Sequence, residues 1–125
     1  MMKQWMAAAI ALTLACSAVQ ADDEPSYLAG IGTMICAQFT AGVRQDPELA
    51  QTVQFIWAQG FMSAANVWRA LIREPLHDLS GWSDMDQRAY LRLFCDRHPE
   101  AYFGAAVQEL YAALPELPVP LAVAP

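Results

Sequence analysis

Apolar residues recur every three or four positions along most of this chain, which is the spacing of one face of an α-helix. The longest run follows Asp46-Pro47-Glu48, where a capping carboxylate, a first-turn proline and a first-turn acid predict a helix start. Pro75 predicts the end of this central helix. Its apolar stripe consists of Leu49, Val53, Ile56, Trp57, Gly60, Ala64, Val67, Trp68 and Leu71.

A shorter helix is predicted upstream of the central one. Ile31, Ile35, Phe39 and Val43 are spaced by four, so this helix should extend from about residue 32 to residue 44. Residues 76–82, downstream of the central helix, contain Asp, Ser and Gly and are predicted to form a loop.

Two more helices are predicted in the C-terminal half. Ser83 with Asp86 resembles a capping box and should begin the third helix. Pro99-Glu100 repeats the pattern of proline followed by an acid and should begin a fourth helix that reaches Leu114. No segment of strand length alternates, so the predicted fold is all-α, a small single domain of about four short helices. Its core should be dominated by Phe39, Trp57, Trp68, Phe94 and Phe103.

The first 21 residues have the features of an export signal. Lys3 precedes an apolar run over residues 5–16, and small residues lead to a cleavage site after Ala21. The run is shorter than the ~20 apolar residues of a membrane span. An uncleaved membrane anchor and a lipoprotein attached through Cys16 are the less favoured alternatives, the second because the preceding residues match a lipobox poorly.

The rest of the chain divides into a helical domain and a tail. The predicted domain covers residues 22–114, and a chain of this length has room for one domain only. Residues 115–125 contain four prolines in eleven positions and are predicted to be extended and flexible.

The charge of the chain is strongly acidic. Seven basic residues oppose thirteen acidic ones, which argues against nucleic acid as a partner because phosphate binding needs a basic surface. After Ala21 the chain has six arginines, no lysine and a net charge of −7. In strong acid the carboxylates protonate and the same chain becomes positive through its arginines, His77 and His98.

Cys36 and Cys95 remain after signal cleavage. In an exported protein an even pair is more often bonded than free. The bond would close a loop of about 60 residues and contribute about 4 kcal/mol to stability in the chain-entropy model. Two separate buried thiols, or a metal site with His98, are the alternatives.

No residue pattern points to catalysis. His77 and His98 have no nucleophile in a recognisable setting, and the expected roles are a solvated loop pair with Asp78 for the first and helix capping for the second. Asp84 and Asp86 suit a helix start. There is no glycine-rich phosphate loop and no metal-binding cluster. The sequence therefore predicts neither an enzyme nor a cofactor.

Four short motifs occur together between residues 34 and 111. Behind the export signal, they resemble the HdeA/HdeB family of small periplasmic proteins, whose characterised members are acid-stress chaperones. The motifs are Cys36-x-x-Phe39, Trp57-x-x-Gly60-Phe61, Leu91-x-x-Phe94-Cys95-x-x-His98-Pro99 and Ala105-Ala106-Val107.

This resemblance implies a Cys36–Cys95 disulfide, periplasmic localisation, a homodimer at neutral pH and no cofactor. It also implies that acid loosens the dimer and exposes apolar surface, which then binds unfolding periplasmic client proteins. The chain differs from the best-known members in having no lysine near its mature ends. The candidate dimer and client surface is on the central helix and comprises Trp57, Gly60, Phe61, Ala64 and Trp68.

A second resemblance implies a different function. Residues 57–64 and 98–114 are similar to Rap1a/Tai immunity proteins, which bind and neutralise secreted amidase effectors. Those proteins usually carry a cysteine just before the central Gly-aromatic motif and another near the C-terminus, and this chain has neither.

Overall fold

The computed structural model describes residues 27–118, so the predicted export signal and the last seven residues of the tail lie outside it. The predicted all-α domain is confirmed over this range. A 3₁₀ turn at Gly30–Thr33 precedes four α-helices and one pair of very short strands. In chain order these are α1 (Cys36–Gln45), α2 (Pro47–Leu71), β1 (Leu76–His77), α3 (Asp84–Arg97), α4 (Phe103–Ala113) and β2 (Glu116–Leu117).

The starts of α2 and α3 agree with the sequence prediction. The Asp46 carboxylate accepts a hydrogen bond from the backbone N–H of Leu49 at 3.0 Å, with Pro47 as the first helical residue. The Ser83 hydroxyl oxygen accepts from the backbone N–H of Asp86 at 3.1 Å. Both caps satisfy helix N–H groups that have no partner inside the helix.

The end of α2 comes one turn before Pro75. Arg73 adopts a left-handed conformation with φ of 60°, the position that glycine usually fills after a helix. The Arg73 N–H donates to the Ala70 carbonyl at 3.2 Å, and the Glu74 N–H donates to the Arg69 carbonyl at 2.9 Å. These two bonds close the helix.

The predicted start of the fourth helix is wrong. α4 begins at Phe103, because the backbone before it pairs with the segment that leads into α1. The Pro99 carbonyl accepts from the Ala37 N–H at 2.9 Å, and the Ala101 carbonyl accepts from the Cys36 N–H at 2.8 Å. These contacts join segments far apart in sequence and hold residues 99–102 outside a helix.

The predicted loop needs correction at residues 76–77, because these form a short antiparallel strand pair with residues 116–117 of the predicted tail. Leu76 lies opposite Leu117, and His77 lies opposite Glu116, in an antiparallel pair. The Asp78 N–H donates to the carbonyl of Pro115 at 2.7 Å. Two-residue strands are too short to show alternation in a sequence.

The core lies between the four helices and includes the favoured disulfide. Cys36 and Cys95 are bonded and fully buried, which joins the start of α1 to the end of α3. The large buried side chains around them are Phe39, Phe55, Met62, Leu91, Phe103, Val107 and Leu110. Within residues 27–118 no helix has the length and apolar character needed to cross a membrane.

Trp68 does not belong to this core, although the sequence placed it there. Its side chain is 62% exposed, whereas Trp57 and Phe94 are half-buried at the edge of the core. The last turns of α2 direct Asn66 and Arg69 toward residues 75–77, where both donate hydrogen bonds to backbone carbonyls. Trp68 is left on the side that faces solvent.

Candidate functional site

The outer side of α2 carries a continuous line of exposed apolar residues. Its five large side chains are each between 42% and 63% exposed, and two small residues lie between them. We call this line the α2 apolar face; it consists of Leu49, Val53, Ile56, Gly60, Ala64, Val67 and Leu71.

The side of α2 that packs into the core is a different one. Phe55, Ala58 and Met62 are buried, and Ala65 packs against the core next to them. This series has the same steps of three and four residues as the stripe predicted from the sequence. α2 is therefore apolar on two sides, and the stripe singled out from the sequence is mostly the side that the domain leaves uncovered.

The spacing along the α2 apolar face suits contact with another helix. Leu49, Val53, Ile56 and Gly60 follow one another at steps of four, three and four, the pattern that keeps one seam facing a partner helix. The face extends over 22 residue steps from Leu49 to Leu71, which corresponds to about 33 Å of helix.

Gly60 has no role in packing within the described domain. A Cβ atom at this position would meet no other atom within 4 Å. Glycine costs about 1 kcal/mol relative to alanine inside a helix, and within residues 27–118 no close contact at this position requires a residue without a side chain. Because Gly60 has no side chain and Ala64, one turn later, has a small one, the middle of the α2 apolar face is shallow.

Two of the predicted surface residues lie at the edge of the core. Trp57 and Phe61 stack on each other with ring centroids 5.4 Å apart, and Trp57 also contacts the Phe103 ring at 6.1 Å. The Trp57 indole packs so closely on Gly32 that a Cβ atom there would lie 2.5 Å from the ring. Gly60, Ala64 and Trp68 are exposed on α2. The structure thus brings three of the five predicted residues to the surface and anchors the other two.

His77 is buried, so the predicted solvated pair with Asp78 is wrong. Its N–H donates to Asn66 Oδ1 at 3.0 Å, and its carbonyl accepts from Asn66 Nδ2 at 2.8 Å. Its ring Nδ1 lies 2.9 Å from the Leu114 carbonyl oxygen, so the proton on Nδ1 is donated to that carbonyl. His77 therefore holds β1 and the start of the tail against α2.

Tyr111 on α4 completes this network, which no sequence pattern predicts. The Tyr111 hydroxyl donates to Asn66 Oδ1 at 2.6 Å, and its ring lies 4.4 Å from the His77 ring, centroid to centroid. Burial raises the pKa of the Tyr111 phenol above its usual value, and the nearby positive charge of Arg69 offsets part of this effect. The phenol is thus held in its neutral, hydrogen-bonding form.

His98 is the residue that follows the last turn of α3, and it does not begin the fourth helix as the Pro99-Glu100 pattern predicted. Its N–H donates to the Phe94 carbonyl at 2.9 Å, and its exposed ring packs 4.6 Å from the Phe94 ring. Within the described range no group of three or more His, Cys, Asp or Glu residues is arranged to hold a metal ion.

Few charged side chains pair with one another. Arg69 and Glu74, 3.3 Å apart, form the one ion pair found within residues 27–118. Most carboxylates in this range therefore have no arginine as a partner.

The chain matches no protein-family model, no curated protein and no solved structure. The functional argument thus depends on the α2 apolar face, the charge distribution and the residue motifs themselves.

Proposed function

We propose that this protein is an exported, acid-activated chaperone of the HdeA/HdeB type, a homodimer at neutral pH that binds unfolding periplasmic proteins in acid. The observation that supports this most directly is the α2 apolar face. A soluble domain rarely exposes so many aliphatic side chains in one line unless they contact a partner. The Cys36–Cys95 bond is compatible with an oxidising compartment such as the periplasm.

At neutral pH the partner in this proposal is a second copy of the chain. Complete burial of an aliphatic side chain contributes about 1.5–3 kcal/mol, so covering five half-exposed ones on each copy yields roughly 10 kcal/mol. Association of two proteins costs an estimated 4–15 kcal/mol. The two terms are of similar size, which favours a dimer that is stable enough to form and weak enough to separate.

In acid, the charge of the chain favours separation. After the predicted cleavage the chain has six arginines, which stay positive when the thirteen acids are protonated, and two histidines, which add positive charge in acid. Repulsion between these charges opposes both the dimer and the compact monomer. The disulfide limits the expansion, so the product is a loosened domain with its apolar surface available to clients.

Client protection by face variants tests this proposal. The mature protein should suppress aggregation of a model client at pH 2–3 and release it on neutralisation. The double variant Ile56→Gln/Val67→Gln should lose most of this protection, because two large side chains of the α2 apolar face become polar. The matched control is Tyr27→Gln/Met85→Gln, which changes two residues that are 89% and 78% exposed and do not belong to the α2 apolar face. This control should protect the client as well as the wild type does.

Two results would contradict the proposal. One is a wild-type protein whose size, dye binding and secondary structure are unchanged down to pH 2 and that protects no client. The other is equal loss of protection in both double variants, which would mean that general surface hydrophobicity is responsible and not the α2 apolar face.

A Rap1a/Tai-like immunity protein is the second candidate function. The observation that favours it is that the α2 apolar face is already exposed in the folded domain, so a specific partner needs no acid to reach it. In that case the protein should bind one secreted amidase effector tightly at pH 7 and protect no client in acid. The same Ile56→Gln/Val67→Gln variant should then lose effector binding.

A further inference from the structure

An open cleft lies between α1 and α3, on helices other than the one that carries the α2 apolar face. Its volume is about 540 Å³, within the range of sites that bind small molecules. Phe39, Val43 and Leu93 form an apolar part of its wall. Phe39 is almost fully buried and belongs to the core, whereas Leu93 is 49% exposed.

Charged residues from both helices line the same cleft. Arg44 of α1 and Arg92 of α3 contribute two guanidinium groups, and Asp96 contributes one carboxylate. The Asp96 carboxylate accepts a hydrogen bond from the Thr40 hydroxyl at 3.3 Å. The Thr40–Asp96 hydrogen bond lies toward the end of the cleft near the Cys36–Cys95 disulfide, and Arg44 and Arg92 each lie four residues farther from it along their helices.

The two arginines have no partner of opposite charge in the described domain. Within residues 27–118 neither Arg44 nor Arg92 forms an ion pair, in contrast to Arg69 with Glu74. Arg88, one turn before Arg92, is occupied differently, since its guanidinium carbon lies 4.4 Å from the centre of the Phe55 ring. The cleft therefore combines two unpaired guanidinium groups with an apolar wall.

We propose that this cleft binds a small carboxylate that has an apolar chain. The carboxylate contacts Arg44 and Arg92, because a planar guanidinium group matches a carboxylate with paired hydrogen bonds. The apolar chain lies along Phe39, Val43 and Leu93. The single negative charge of Asp96 reduces the positive charge of the cleft without cancelling it, which leaves an anion as the preferred ligand.

Titration of the folded mature protein with octanoate at pH 7, followed by backbone amide NMR shifts, tests this site. Octanoate should shift residues of α1 and α3, whereas octanol and octylammonium, which have the same chain without the negative charge, should bind at least tenfold more weakly. Arg44→Gln and Arg92→Gln should each weaken octanoate binding about tenfold. Asp96→Asn should strengthen it severalfold, because the substitution removes a repulsive charge and keeps an acceptor for Thr40.

Arg97→Gln is the matched control, since it removes one positive charge from the same helix at a residue outside the cleft. It should change octanoate affinity by less than twofold. The proposal is overturned if octanoate shifts only the α2 apolar face, if octanol binds as tightly as octanoate, or if Arg92→Gln and Arg97→Gln have the same effect. The comparison of octanoate with octanol and octylammonium uses the wild-type protein alone, so it tests the proposal even if a variant fails to fold.

Discussion

Asn66 joins three parts of the chain through one side chain. Its amide binds both backbone groups of His77 on β1 and the Tyr111 hydroxyl on α4, while the residue itself belongs to α2. Buried polar groups need hydrogen-bond partners, and here the Asn66 amide is the partner of both the His77 backbone and the Tyr111 hydroxyl. The contact positions the start of the tail, although no pattern in the sequence connects these three positions.

The raised pKa of Tyr111 predicts how stability changes in alkali. The folded state holds the phenolic proton more tightly than the unfolded chain, whose tyrosine pKa is about 10. This contribution is therefore fully present below pH ~10 and is lost as pH rises from there through the folded pKa. The Tyr111→Phe variant has no phenolic proton, so its stability does not fall in this way in alkali. It also lacks the hydrogen bond to Asn66, which is worth about 1 kcal/mol at pH 7. Urea unfolding should show the variant less stable at pH 7 and the difference shrinking above pH 10.

Tyr27→Phe is the control for this measurement, since Tyr27 is 89% exposed. Its stability should equal that of the wild type at every pH. A difference between Tyr111→Phe and wild type that stays constant from pH 7 to pH 11 would mean that the burial of Tyr111 does not affect its titration.

At the level of elements, local signals predicted the helices and non-local contacts decided the rest. Caps such as Asp46 and Ser83 act within one helical turn, so both starts could be predicted. The delayed start of α4 depends on carbonyls that pair with residues more than sixty positions earlier. The buried side of α2 could not be chosen from spacing alone, because two of its sides carry apolar residues at the same steps.

For the candidate site, the sequence analysis selected five residues of α2, and three of them are exposed in the structure. Gly60 and Ala64 were selected for their small size, and both are exposed. Trp57 and Phe61 were selected with them, but Trp57 packs against the 3₁₀ turn at Gly30–Thr33 and against α4, and Phe61 stacks on Trp57. Asn66 and the cleft between α1 and α3 were missed, because each depends on which helices pack together.

Gly60→Ala tests whether α2 faces a second copy of the chain. Within one copy the added methyl group meets no atom, so it should raise the free energy of unfolding of the monomer by about 0.5–1 kcal/mol through helix propensity. In the proposed dimer the same methyl group lies where two helices approach most closely and should weaken association severalfold. Sedimentation and urea unfolding over a range of concentrations measure the two effects separately.

Gly42→Ala on α1 provides the matched control. A Cβ atom there would lie 3.6 Å from the Ala50 Cβ, an ordinary contact away from the α2 apolar face. This variant should stabilise the monomer and leave association unchanged. Equal sedimentation of both variants and the wild type would argue against a dimer through Gly60.

At the level of the whole molecule, the scarcity of ion pairs determines what acid can do. With one ion pair in the described range, acid separates few pairs of opposite charge, so in the proposed mechanism repulsion among the remaining positive charges is the main force that opens the domain. Repulsion is screened by salt, with a Debye length of about 10 Å at 0.1 M and 3 Å at 1 M.

The acid-loosened state should therefore depend on salt. At pH 2.5 and low ionic strength the protein should bind a hydrophobic dye and lose its near-ultraviolet circular dichroism. Adding 0.5 M sodium chloride should reverse both changes, whereas the same salt at pH 7 should have little effect. An acid transition that is insensitive to salt would assign the loosening to individual carboxylates instead of the net charge.

The Cys36–Cys95 bond makes residues 36–95 a closed covalent ring, with α4 attached outside it. After the predicted signal the chain offers a trypsin-like protease only arginines, of which all but Arg97 lie inside the ring. A single cut inside the ring leaves both pieces joined through the disulfide until it is reduced. A single cut after Arg97 leaves the whole of α4 without a covalent link to the ring, and only the packing of its completely buried Phe103, Val107 and Leu110 then holds it in place. One peptide bond between two helices thus decides whether the centre of the core stays covalently attached in a nicked molecule.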